Sequence, residues 1–275
     1  MASPEISVVI PVYNEEENLP ILAAEVQGAM QAIGQPYEVI YVDDGSTDGS
    51  PGILNGLARE DAAVRVIRQR RNAGQSAALA AGFRFARGGI VVTLDADLQN
   101  DPADIPRLLE RMHAFDVVCG VRANRQDTWT RKVSSRIANG IRNRVTHDSV
   151  TDVGCTLRAC RAEYLRSIPM FTGMHRFLPT LLKMEGARVT EVPVHHRPRL
   201  HGQPKYNIRN RIWRALADLF AVRWMQKRWI DRRLSEEIDA WNTVTSGSPS
   251  ASSAKPSSSA VSSSSGSPPS AAGRA

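Results

Sequence analysis

The sequence predicts an α/β protein whose mostly parallel sheet carries helices on both faces. Three observations carry that expectation. Apolar runs rich in β-branched residues alternate with longer stretches of helical periodicity, and acidic residues gather where three of those runs end. The third is size: 275 residues, 42% of them hydrophobic, are ample for one large domain or two small ones with a substantial core.

Ile6–Tyr13 (ISVVIPVY) reads as a buried strand. Glu15–Ile33 follows as a helix with Leu19, Leu22, Ala23, Val26 and Met30 on one side. Tyr37–Asp44 is a second strand, and Gly45-Ser46-Thr47-Asp48 is a turn that also caps the next helix. Val64–Gln69 reads as strand, Gly74–Arg87 as helix and Gly89–Asp97 as strand. Pro102–His113 is helical, with Asp101 as its cap and the proline at the first helical position. Asp116–Val121 is a further strand. Beyond Arg122 the pattern loosens: Trp129–Val145 helical, Val153–Cys160 extended, Phe177–Glu185 helical, Ala187–Pro193 extended, and Asn207–Ile230 a long helix rich in Arg, Trp and Leu. From about Val244 the composition turns to Ser, Pro, Ala and Gly, which cannot bury enough apolar surface to fold.

Composition removes several classes. Three cysteines without a CxxC support neither a disulfide framework nor a zinc knuckle, and they read as small buried hydrophobes in a reducing compartment. The N-terminus has no basic region or cleavage site of a secretory leader. Nowhere do about 18 apolar residues run together, so no spanning helix is expected. The net charge of +7 is uneven: residues 122–144 carry +6 and residues 195–233 carry +9, which leaves −8 on the rest. Two dense basic segments on an acidic body suggest a polyanionic partner.

In an open α/β sheet, ligands sit beyond the carboxyl ends of the strands. Here those ends read Pro11-Val12-Tyr13-Asn14-Glu15, Asp43-Asp44-Gly45-Ser46 and Asp95-Ala96-Asp97-Leu98-Gln99. Crowded carboxylates repel, so a divalent cation would stabilise them. Oxygen ligands without a His or Cys set favour Mg²⁺ or Mn²⁺ over zinc. Such an ion completes its shell with phosphates and water, which points to a nucleotide. No GxxxxGK[ST] and no GxGxxG occurs, so P-loop hydrolysis and dinucleotide redox chemistry are poorly supported.

The segments SVVIPVYNEEENLP, EVIYVDDGSTDGS, NAGQSAALAAGF, TLDADLQNDP, GVR and RLHGQPKYN, in that order over roughly residues 5–210, resemble the family 2 glycosyltransferases of GT-A fold. Within them the likeness is strongest to the dolichol-phosphate mannosyltransferases and other polyprenyl-phosphate sugar synthases. The resemblance implies a GT-A catalytic domain over residues 1–205; the residues beyond it read as a basic, Trp-rich amphipathic helix over 206–243 and a disordered tail over 244–275. It implies that Pro11, Tyr13 and Glu15 line the nucleoside, and that Asp43 and Asp44 hold base and ribose. Asp95 and Asp97, flanking Ala96 in the donor site, would bind Mg²⁺ or Mn²⁺ with Gln99. Arg122, Arg199 and Lys205 would neutralise phosphates, Arg131 and Ser135 would receive the acceptor phosphate, and Asp152 would lie beside the acceptor region.

The expected reaction is inverting, metal-dependent transfer of a sugar from a GDP- or UDP-sugar to a polyprenyl phosphate such as dolichyl or undecaprenyl phosphate. A phosphate acceptor is already anionic near neutral pH, so no general base is nominated. The alternative keeps the fold but glycosylates a saccharide hydroxyl of an envelope glycan. That class's QxxRW motif is approached only by Gln226-Lys227-Arg228-Trp229, one residue too short. No nucleic-acid-binding signature occurs, so no nucleic-acid partner is expected. Arg and Trp together on Asn207–Ile230 fit an interfacial helix, hence a peripheral enzyme on the cytoplasmic face of the inner membrane that meets an anionic lipid surface. Packing of that helix on its own domain or on a second subunit, as in a homo-oligomer, is the other reading.

Overall fold

The computed structural model describes residues 3–122, 140–148, 150–198 and 209–230, with residues 209–214 by backbone alone. Its strands are β1 (Ile6–Val12), β2 (Tyr37–Asp43), β3 (Val64–Arg68), β4 (Ile90–Thr93), β5 (Val117–Arg122), β6 (Arg158–Arg161) and β7 (Val189–Val194). They form one sheet in the order β3-β2-β1-β4-β6-β5-β7. Every neighbouring pair is parallel except those of β6, which runs against both β4 and β5. Successive parallel strands need a crossover, and the chain supplies helices for it: α1 (Leu19–Ile33), α2 (Ser50–Glu60), α3 (Gln75–Phe85) and α4 (Ile105–Arg111). Further on come residues 140–146 (α5), α6 (Ala162–Ser167), α7 (Leu178–Met184) and α8 (Arg209–Lys227).

Each sheet face has its own apolar core. On one, Val8, Ile10, Val39 and Tyr41 meet Leu19, Leu22, Leu54, Ile105 and Leu108 from α1, α2 and α4. On the other, Val9, Ile40, Val91 and Val117 meet Leu79 and Phe83 of α3, Leu165 of α6, and Leu178 and Leu181 of α7. Alternation along β1 explains the division: Val8 and Val9 are both fully buried but belong to opposite cores. Four residues of the expected α1 stripe, Leu19, Leu22, Val26 and Met30, are buried. Each such side chain is worth roughly 1.5–3 kcal/mol. Helix α3 crosses β1 so closely that a Cβ on Gly82 would lie 2.2 Å from Cγ1 of Val9.

The differences from the sequence expectation lie at element ends. Helix α1 begins at Leu19, not Glu15, because Glu15–Asn18 form a turn, with the amides of Asn18 and Leu19 each 3.0 Å from the Glu15 carbonyl. Pro20 then occupies the first helical turn, where its missing N–H costs nothing. Strand β4 stops at Thr93, so Asp95–Gln99 is a turn rather than strand, with Leu98 left-handed at φ 60°. The expected Pro102–His113 helix is a 3-10 turn (Pro102–Asp104), capped by Asp101 as expected, followed by α4. Of Val153–Cys160 only the end is strand, and α6 lacked a readable signal. The expected Trp129–Val145 helix falls on described residues only from 140, where it is helical. The 244–275 tail lies outside the described residues.

Helix α8 is apolar on both sides. Leu219 and Val222 are buried in the second core, while Phe220 and Trp224 are 64% and 61% exposed on the opposite side. The Arg228 guanidinium lies 5.7 Å from the Trp224 ring centre. Gln226 Nε2 donates to the Thr146 carbonyl at 2.7 Å, fixing the helix to α5. No helix among the described residues is long and apolar enough to cross a membrane.

Candidate active site

Strands β1 and β2 end side by side, Val12 opposite Asp43. The Asp44 amide donates to the Val12 carbonyl, and its carboxylate accepts the amides of Ala73 and Gly74, all at 2.8 Å. Asp43 accepts the Ser46 amide at 2.9 Å and Arg68 Nε at 3.0 Å. Gly45 between the two loops is left-handed (φ +72°), and a Cβ there would come within 2.7 Å of the backbone of Arg71 and Asn72. The loop after β1 is laced to the same turn. The Asn14 amide donates to Ser46 Oγ at 3.0 Å, the Thr47 amide to Asn14 Oδ1 at 2.8 Å, and the Glu15 amide to Ser50 Oγ at 2.9 Å. Pro11, Tyr13 and Glu15 are half-buried along this edge.

The turn after β4 is the electrostatic centre. Asp95 as a residue keeps some exposure, but its carboxyl is buried, and burial together with the Asp97 charge pushes it up to about 7. Hydrogen bonds from Gln75 Nε2 (2.8 Å) and from Thr156, and the charge of Arg158, act in the opposite direction. Ala96 is buried, and the Gln99 amide donates to Asp97 Oδ1 at 3.2 Å. A second layer fixes the turn: Asn100 Nδ2 donates to Thr156 Oγ1 at 2.8 Å, and Thr93 Oγ1 to the Thr156 carbonyl at 2.6 Å. From the far side the strap after β7 is tied on. The Arg197 amide donates to the Gln99 carbonyl at 2.9 Å, and its guanidinium reaches Glu25 at 2.7 Å and Asp101 at 2.8 Å. His195 reaches Asp104, with Nδ1 at 3.0 Å.

Arg122 ends β5 in a bidentate pair with Asp152, Nε and Nη2 each donating at 2.7 Å. The three cysteines are free and buried. Burial pushes the Cys119 thiol up to about 12 and the Cys155 thiol to about 11, so neither is a nucleophile near neutral pH.

Of the residues expected to form the site, the described structure brings Asp95, Ala96, Asp97 and Gln99 onto one turn. Pro11, Tyr13, Glu15, Asp43 and Asp44 lie along the β1–β2 edge, and Arg122 at the end of β5. Arg131, Ser135, Arg199 and Lys205 lie outside the described residues. No three His, Cys, Asp or Glu side chains group to hold a metal among the described residues. Strands β2, β1 and β4 are parallel neighbours, so their three acidic ends lie on one edge of the sheet, where Asp43 and Asp44 also accept hydrogen bonds from Ser46, Arg68, Ala73 and Gly74. The donor set is narrower: two carboxylates and an amide on one turn, all hard oxygen donors. Asp95, short of compensating charge, is what a divalent ion would relieve, so the residues fit Mg²⁺ or Mn²⁺ held with phosphates and water. Sequence reasoning missed Gln75, Thr156 and Arg158.

A parallel sheet with one reversed strand and an acidic turn at the end of β4 defines the GT-A class of nucleotide-sugar transferase folds. Residues 7–168 match the family described as "Glycosyl transferase family 2", and the chain belongs to that family. Its relatives include the undecaprenyl-phosphate 4-deoxy-4-formamido-L-arabinose transferases of Serratia proteamaculans (44% identical over 206 residues) and Edwardsiella ictaluri (42% over 205 residues). Each alignment covers 74% of this chain and 63% of the relative, so the chain spans less than two thirds of their length. Among solved structures, glucosyl-3-phosphoglycerate synthase from Mycobacterium tuberculosis with Mg²⁺ and UDP is similar at TM-score 0.62 and 18% identity, over 84% of this chain and 82% of that one. The same enzyme with Mn²⁺, UDP and phosphoglyceric acid gives 0.61 and 20%, over 84% and 81%. At these identities the likeness speaks for the fold.

Proposed function

We propose that the protein transfers a sugar, with inversion, from a nucleotide-sugar donor to a polyprenyl phosphate, giving a lipid-linked sugar. The observation that carries this reading is the Asp95–Asp97 turn, two carboxylates at a strand end, one buried and short of compensating charge. The relatives' undecaprenyl-phosphate specificity supports the acceptor. Asp95, Asp97 and Gln99 would hold Mg²⁺ or Mn²⁺, which when bound offsets charge on the leaving nucleoside diphosphate. Pro11, Tyr13 and Glu15 would line the nucleoside. Asp43 and Asp44 would hold its base and ribose. Arg122, Arg199 and Lys205 would neutralise phosphate charge, and Arg131 and Ser135 would orient the acceptor, whose own anionic oxygen attacks the anomeric carbon as the nucleotide leaves. Holding Arg122 by Asp152 would fix its direction while lessening its net charge.

A lipid acceptor also requires the enzyme to meet a bilayer. The exposed Phe220 and Trp224, flanked by Lys227 and Arg228, support peripheral attachment to the anionic cytoplasmic face of the inner membrane. The test supplies the full chain with undecaprenyl phosphate, Mn²⁺ or Mg²⁺ and a panel of UDP- and GDP-sugars. The expected result is a product that extracts into organic solvent only with lipid phosphate and metal present, with inverted anomeric configuration by NMR. No such product from any donor overturns the reading.

A further inference from the structure

We propose that Arg158 is a built-in counter-charge to the Asp95–Asp97 turn, which keeps affinity for a bare divalent cation low until a nucleoside diphosphate arrives with it. The inference rests on the metal reading above and deepens it. Arg158 opens β6 directly opposite Thr93, two residues before Asp95, and is 2% exposed. Side chains paired across strands share a face, so the guanidinium lies at the carboxyl edge beneath the turn. Its direct hydrogen bonds go to neutral groups: Nη1 to the His175 carbonyl at 3.0 Å and Nη2 to the Val153 carbonyl at 2.8 Å, while Nε has no partner. The His175 loop is itself anchored, its Nδ1 2.7 Å from Ser76 Oγ, one residue from the Gln75 that bonds Asp95.

A buried cation with no direct carboxylate partner among the described residues is costly unless its field is used. Here the guanidinium stands opposite Thr93, two residues before Asp95, so its field falls on the turn. The guanidinium offsets part of the turn's own charge, which weakens its hold on a bare doubly charged ion. A diphosphate adds the missing charge, so metal and nucleotide strengthen each other's binding by the same factor. Arg158 is on this account a positioning residue, acting through the turn rather than on substrate.

The experiment measures Mn²⁺ affinity of the full chain by EPR, alone and with UDP or GDP, for wild type, Arg158→Met and Arg158→Lys, with folding checked by circular dichroism. In the wild type a nucleotide is expected to tighten Mn²⁺ at least about tenfold. Arg158→Met is expected to bind bare Mn²⁺ at least about tenfold more tightly than wild type, with the nucleotide effect reduced, while Arg158→Lys stays within about threefold. A role limited to holding the Val153 and His175 loops would weaken Mn²⁺ binding instead. Unchanged or weaker bare Mn²⁺ binding in folded Arg158→Met, with nucleotide-supported binding intact, overturns the proposal. If neither variant folds, a wild type that binds Mn²⁺ equally with and without nucleotide does so. Failure of the underlying metal reading looks different: wild type that binds no Mn²⁺ under any condition.

Discussion

Two aspartates with opposite proton affinities show how much a carboxyl depends on its surroundings. Burial and Asp97 push Asp95 up to about 7. A folded-state value above the unfolded one, about 4, means the metal-free folded chain holds more protons than the unfolded chain between those values. The stability Asp95 contributes is therefore present at low pH and lost as pH rises through about 7, unless a cation takes the proton's place. The thermal shift given by Mn²⁺ is expected to grow from pH 6 to pH 8. Asp95→Asn should abolish it and leave the metal-free protein more stable than wild type at pH 8, by scanning fluorimetry. Asp116 behaves oppositely. Hydrogen bonds from Arg188, at 3.0 Å from both Nε and Nη2, hold it below the usual carboxylate range against burial. Its contribution is full above about 4 and is lost as pH falls further. Asp116→Asn should lower stability at pH 7 and shrink the loss between pH 5 and pH 3 in acid titrations followed by circular dichroism.

At the scale of elements, the helices and strands before Arg122 were legible because burial on the sheet faces imposes period and composition together. The stripe of α1 and the β-branched run of β1 left little choice. What was not legible were the ends, because those are set by partners distant in sequence: Ser46 and Ser50 for the Glu15–Asn18 turn, Thr156 for the turn after β4. The same holds for Gly82, whose neighbour Val9 lies 73 residues away in the chain. Gly82→Ala is expected to destabilise the fold by about 1–3 kcal/mol in denaturant titrations, since α3 must back away from β1. Helix α8 shows why periodicity alone misleads: apolar residues on two opposite faces cancel the one-sided pattern. Its outer aromatics belong, on the reading above, to lipid. Phe220→Ser with Trp224→Ser should reduce co-sedimentation with phosphatidylglycerol vesicles several-fold while leaving the melting temperature near that of wild type. Undiminished binding would assign that face elsewhere.

For the molecule as a whole, the acidic strand ends were visible in sequence, yet their division of labour was not. Asp43 and Asp44 look alike in sequence to Asp95 and Asp97, but they also fasten loops, through the amides of Ser46, Ala73 and Gly74 and the guanidinium of Arg68. Nor does a one-dimensional string reveal that Arg158, 63 residues after Asp95, returns beneath it. That return is owed to the single reversed strand. A parallel successor to β5 would have had to start from the opposite edge, forcing the chain back across the whole sheet. Because β6 points the other way, the chain departs after Arg122 and re-enters at Arg158 on the same rim. The two roots of that excursion, Arg122 and Leu157, thus stand side by side, and the scaffold beneath need not be re-threaded to accommodate whatever length of chain joins them.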